Sequence, residues 1–143
     1  MNSNRQPPLE KPTQDQTQKH NEKANGHGIT RILKATQCSI LGFKAAFKHE
    51  AAFRQELLLF VVLTPLAWFI AESIMDFVSL IVVMLLVLIV ELLNSAIEAV
   101  VDRVGLERHE LSGRAKDLAS AAVTLSLIIA GIVWAAHLIK FFV

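Results

Sequence analysis

Three apolar runs decide what this chain can fold into. Residues 118–139 are twenty-two consecutive positions without Asp, Glu, Lys or Arg, residues 77–90 form a second uncharged run, and residues 57–71 form a third that contains Pro65. A helix rises about 1.5 Å per residue, so about twenty residues cross a hydrocarbon core about 30 Å thick. The run at 118–139 crosses unaided, and the other two do so by taking in flanking polar residues. We therefore expect spans at about 50–71, 74–101 and 116–140. Only helices satisfy their backbone hydrogen bonds within a single lipid-exposed segment, so the fold class is all-α integral membrane. Pro65 is tolerable inside such a span. Hydrophobic residues make up 53% of the chain and are concentrated in these segments. The formal net charge of +1 leaves no basic face to track phosphates of a nucleic acid. Cys38 is the sole cysteine, which rules out an intramolecular disulfide.

Ahead of the spans the chain reads in two parts. Residues 1–27 are polar and interrupted by Pro7, Pro8 and Pro12. With so little to bury, they are expected to be a disordered tail. From residue 28 onward lies the membrane domain, which opens with a helix at about 29–48. Ile29, Ile32, Leu33, Ile40, Phe43 and Phe47 share one face of it, with Arg31, Lys34 and Lys48 away from the centre of that face. That pattern suits an amphipathic helix lying in the membrane surface. Eight Lys and Arg residues precede Glu50, and Arg103, Arg108, Arg114 and Lys116 follow the second span. The connection at 72–76 has none. The positive-inside rule thus places the N-terminus and the 102–117 loop in the cytoplasm and the C-terminus outside. Trp68 and Trp134 fall toward one membrane side, as members of an aromatic belt would. His137, near the end of the last span, reads as an interfacial residue.

The second span carries more acid than a lipid-facing helix should tolerate. Glu91, Asn94, Ser95, Glu98 and Asp102 recur at helical spacing and occupy one stripe about 100° wide. A charge near the bilayer centre costs at least about 2.5–3.5 kcal/mol, so these positions call for a function. Glu50 enters the first span from the same side that Glu98 approaches from the second. The two can converge on one hard divalent cation such as Mg²⁺. Glu91 lies seven residues deeper than Glu98, roughly 10 Å along the axis, where a carboxylate can take a proton from a lipid hydroxyl. Asn94 lies between the two levels and can orient either ligand. Lys116 and Arg114 can offset phosphate charge, with His109 and Asp117 as further polar contacts. The set suits phosphoryl transfer at a membrane surface, although no GxxxxGK[ST] loop and no protein-kinase motif set is present. The competing structural reading is that the carboxylates pair with Arg54, Arg103 and Arg114 and merely orient helices.

Two segments, EAAFRQE at 50–56 and ELLNSAIEAVVDRVGLERHELSGRAKD at 91–117, resemble the signatures of the prokaryotic diacylglycerol kinase family. The resemblance extends from about residue 28 to the C-terminus. It implies a small homotrimeric membrane enzyme of the bacterial inner membrane, with three transmembrane helices and a surface helix in each chain. Its reaction would pass the γ-phosphoryl group of Mg-ATP to diacylglycerol, giving phosphatidic acid. By that resemblance Glu91 is the catalytic base with Asn94 in support, and Glu50 and Glu98 hold Mg²⁺ and the nucleotide. Further nucleotide contacts fall on Arg31, Cys38, Glu107, Arg108, His109, Lys116 and Asp117. Lipid contacts fall on Arg31, Ala52, Phe53, Arg54, Gln55, Glu56, Glu91 and Ser120. The rivals are the same chemistry on a polyprenol, as in undecaprenol kinases, and a non-enzymatic oligomer conducting protons or cations through its carboxylates.

Overall fold

The computed structural model describes residues 28–105, 107 and 109–143, and every regular element among them is an α-helix. Helix α1 spans Ile29–His49, α2 Ala51–Ile70, α3 Ile74–Val104 and α4 Glu110–Phe142. The last three are long and apolar enough to cross a membrane, as the apolar runs predict, and α1 precedes them. The tail at 1–27 and Arg108 lie outside the described residues. The chain divides into two compact units after Gly42, inside α1. In the first unit Gly28 enters the helix at φ +59°, a left-handed conformation that glycine adopts without strain. There Thr36 and Ser39 return their hydroxyls to the carbonyls four residues back.

The second unit, Phe43–Val143, is built around the α3–α4 hairpin, with α2 packed mainly on α3. Its lengths matter for the chemistry. Helix α2 has 20 residues, about 30 Å, and matches a hydrocarbon core. Helices α3 and α4 have 31 and 33 residues, about 46 and 50 Å, and must project beyond it by about 15–20 Å. The polar excess sits where the hairpin is joined, at Glu98–Val104 and Glu110–Asp117.

Packing divides into two clusters. Ala67, Ile70, Leu80, Met84 and Trp134 join all three spanning helices, and Ala46, Phe53 and Leu88 tie the end of α1 to α2 and α3. Phe43 stacks toward Phe53 at 6.5 Å between ring centroids. Trp134 departs from the belt expectation. It is only 8% exposed and belongs to the core, whereas Trp68 is 70% exposed and meets Phe77 edge to face at 5.4 Å. A belt residue must reach the headgroup layer, and Trp134 instead packs with Ala67 and Ile70 of α2 and Leu80 and Met84 of α3. His137 Nδ1 donates to the Val133 carbonyl at 2.8 Å, and its Nε2 meets the Ser79 hydroxyl at 3.2 Å. Lys140 closes the same end through Asp76 at 3.0 Å and Glu72 at 2.9 Å.

Candidate active site

The sharpest local feature is the corner between α1 and α2. His49 ends one helix, Ala51 begins the next, and Glu50 between them is extended at φ −105°, ψ 114°. Glu50 donates its backbone N–H to the Ala46 carbonyl at 2.8 Å. It occupies the N-cap position of α2, yet its carboxylate makes no capping hydrogen bond. A side chain in that place normally bonds the free N–H groups of the first turn. Here it is left for something else.

Glu91 faces the same region from α3. It is 3% exposed, the sole buried charged side chain among the described residues, and no hydrogen bond within them engages its carboxylate. Glu50, Glu98 and Glu56 all lie within electrostatic range of it. Seven residues along, Glu98 accepts a hydrogen bond from Asn94 Nδ2 at 3.2 Å, while Asn94 Oδ1 is buried with no partner. None of the four carboxylates forms an ion pair with Arg54, Arg103 or Arg114. The helix-orienting alternative required such pairs. Arg54 is committed elsewhere, donating from Nη1 to the Phe47 carbonyl at 3.1 Å and the Lys48 carbonyl at 3.4 Å.

Where α3 gives way to α4, a pocket of ≈ 480 Å³ is lined by Asp102, Glu107, His109, Glu110 and Lys116, with Val101, Gly105, Ser112 and Gly113. Three of the sequence-predicted nucleotide contacts thus share one cavity: Glu107, His109 and Lys116. His109 caps α4, its Nδ1 accepting the Leu111 N–H at 3.2 Å. The neutral ring therefore carries its proton on Nε2, a donor suited to an anion. Lys116 bonds Asp102 at 2.6 Å and also lies within electrostatic range of Glu98, linking the pocket to the carboxylates. Asp117 and Ser120 are exposed on α4 outside the pocket lining, and Arg31 and Cys38 belong to the N-terminal unit.

A second recess, ≈ 240 Å³ and almost wholly apolar, runs between the spans. Leu59, Leu63, Met84, Val87, Leu127 and Ala130 line it, with Glu56 and Trp134. Two buried polar atoms without partners, Glu56 Oε2 and Trp134 Nε1, belong to residues of this lining. Sequence reasoning missed this recess and the part Asp102 plays. The close spacing of Ala130 and Gly131 opposite bulkier residues of α2 and α3 was its one available signal.

Sequence comparison shows the family. The profile of the prokaryotic diacylglycerol kinase family matches residues 37–138. The chain belongs to that family. It is 55% identical over 112 residues to the diacylglycerol kinase of Pseudomonas aeruginosa, covering 78% of this chain and 91% of the relative. Identity to the diacylglycerol kinases of Haemophilus influenzae and Escherichia coli K12 is 52% in each case, over 107 and 110 residues. Those matches cover 75% and 77% of this chain and 91% and 90% of the relatives. The matched segment takes in the carboxylate cluster, the hairpin pocket and the apolar recess. Of the sequence-predicted site residues, Arg31 alone precedes it.

Proposed function

We propose that this family member transfers the γ-phosphoryl group of ATP to diacylglycerol, forming phosphatidic acid at a membrane interface. The observation that carries the reading is that Glu50, Glu56 and Glu98 lie within electrostatic range of Glu91, none of the four ion-paired with a described Lys or Arg, while Lys116 links Glu98 to a pocket that it edges with His109. Such a cluster is stable and useful when its ligand brings positive charge, as a metal-bound nucleotide does.

The donor set fits Mg²⁺. Glu50 and Glu98 offer hard oxygen ligands, one unspent on capping and the other held by Asn94. Among the described residues no group of three His, Cys, Asp or Glu side chains converges to hold a metal alone. That matches an ion held by one or two carboxylates and completed by substrate phosphates. When bound, Mg²⁺ supplies electrostatic neutralisation of the phosphate oxygens. The chain's own residues would do the rest. Lys116 and His109 hold the nucleotide, with Glu107, Arg108, Asp117, Arg31 and Cys38 as further contacts. Arg31, Ala52, Phe53, Arg54, Gln55, Glu56 and Ser120 meet the lipid, and the apolar recess takes an acyl chain. Glu91 accepts the hydroxyl proton as that oxygen bonds phosphorus and the bond to the ADP oxygen breaks. Asn94 steadies the neighbouring carboxylate. Positioning and electrostatics account for most catalysis of this kind. We place the protein in the bacterial inner membrane as a homotrimer on the family resemblance, and orient its N-terminus to the cytoplasm and its C-terminus to the periplasm on the basic residues flanking the spans.

The test is phosphate transfer from labelled ATP by the purified protein, with diacylglycerol and undecaprenol offered side by side. Transfer to diacylglycerol supports the reading. Transfer to undecaprenol alone would make it a polyprenol kinase, and ion flux without ATP consumption would make it a channel. Glu50→Gln and Glu98→Gln should each weaken the Mg²⁺ response, with non-additive losses in the double variant. Additive losses with unaltered Mg²⁺ dependence would refute a shared ion.

A further inference from the structure

We infer that Arg54 is a positioning residue for Glu50: it locks the α1–α2 corner and so aims the Glu50 carboxylate toward the cluster around Glu91. The inference rests on the reading of Glu50 as a metal ligand. Four carbonyls at the end of any α-helix lack an intrahelical partner. At the end of α1 the Ala46 carbonyl is taken by the Glu50 N–H at 2.8 Å. The next two, Phe47 and Lys48, are taken by one nitrogen of Arg54, at 3.1 and 3.4 Å. Arg54 stands on the first turn of α2, and the Arg54 N–H also meets the Glu50 carbonyl, at 3.4 Å. One side chain therefore fastens the last turn of the first helix to the first turn of the second.

Glu50 is the single residue at the bend, so the angle between the helices sets where its side chain points. Its carboxylate makes no capping bond that would hold it from within. The other restraints, the packing of Ala46 against Phe53 and Leu88 and the contact of the Phe43 and Phe53 rings, are apolar and weakly directional. The guanidinium supplies what that packing lacks. It is a planar donor whose positive charge also complements the negative end of the α1 dipole.

Charge alone gives the opposite prediction from positioning, which makes the inference testable by sign. Removing a nearby cation strengthens divalent-metal binding to a carboxylate. Loosening the carboxylate weakens it. The probe is Mn²⁺, titrated by electron paramagnetic resonance onto the full-length reconstituted protein with the β,γ-methylene analogue of ATP. Arg54→Gln should weaken Mn²⁺ binding about three- to thirtyfold, the range implied by one helix-terminus interaction. Amide exchange at residues 47–52 should accelerate. Arg54→Lys keeps the charge but not the planar fork, and should show a smaller loss of the same sign. In the Glu50→Gln background, Arg54→Gln should add no further loss. Mn²⁺ binding that is unchanged or tighter in Arg54→Gln overturns the inference, and a rise in diacylglycerol KM beside it would leave Arg54 a lipid contact alone. If Glu50→Gln itself leaves Mn²⁺ binding unaltered, the metal role of Glu50 fails and this inference falls with it. That failure is recognisable because corner exchange in Arg54→Gln would still accelerate.

Discussion

Replacing Glu91 by Gln separates chemistry from architecture at the position where both are at stake. Glu91 is 3% exposed, and no described residue donates a hydrogen bond to it, while Glu50, Glu56 and Glu98 all act on it as like charges. Gln conserves the shape within a few atoms but cannot accept the hydroxyl proton. General-base catalysis contributes about 10²–10⁴-fold, or about 2.7–5.4 kcal/mol of barrier at 1.36 kcal/mol per decade. Turnover should fall by that factor, with the KM for Mg-ATP little changed because Glu91 is absent from the hairpin pocket.

Stability should move the other way. Burying an unpaired charge costs more than burying an unpaired amide, and the amide also removes repulsion from three neighbours. The Gln variant should therefore melt at or above the temperature of the parent protein. A gain in stability alongside a loss of rate is the pattern expected when an active site is built against its own stability. The assay is lipid phosphorylation beside nucleotide affinity and thermal melting, all in one bilayer preparation. If Glu91 only packed helices, Gln would lower the melting temperature and the rate together, or change neither. Near-normal turnover in an intact protein would refute its role as the base.

Asp102→Asn should release Lys116 and remove an acid that repels phosphate. The KM for ATP should fall a few-fold with little change in melting, because exposed pairs of this kind contribute about 0–1 kcal/mol. A rise in that KM would show instead that Asp102 holds the lysine in place. Deleting residues 1–27 should leave lipid phosphorylation within about twofold, since their composition offers little to bury and the family match begins at residue 37. Loss of activity in a deletion variant that still inserts and melts normally would contradict this.

The parts of the site legible in the sequence are those generated by one helix. Glu91, Asn94 and Glu98 lie on a single helix, so a 3.6-residue repeat was enough to place them on one face, and α3 carries them as that repeat requires. The spans were legible for a similar reason, because length and hydropathy act locally. What stayed hidden depends on how two segments meet. Periodicity places Trp134 on a face of its helix but does not say whether lipid or another helix lies opposite. The packing of α2 and α3 made it a core residue. Lys116 and Asp102 are fourteen positions apart on different helices, and only the fold of the hairpin joins them.

The same division explains why Arg54 reads differently from its neighbours. In the sequence it is one more polar residue of EAAFRQE, four positions from Glu50, a spacing that any helical repeat supplies. Its meaning depends on Glu50 lying outside the helix. Had α2 begun a turn earlier, Glu50 would point where a continuous helix sends it, and the α1 carbonyls would be out of reach. The helix starts at Ala51 instead. That one-residue break leaves two carbonyls of α1 unbonded within reach of a guanidinium and a carboxylate with no cap to make. The corner therefore converts a backbone defect into a fixed direction for an acid. The metal role proposed for Glu50 asks for such a direction, because a carboxylate with no bond of its own is otherwise free to turn among its rotamers.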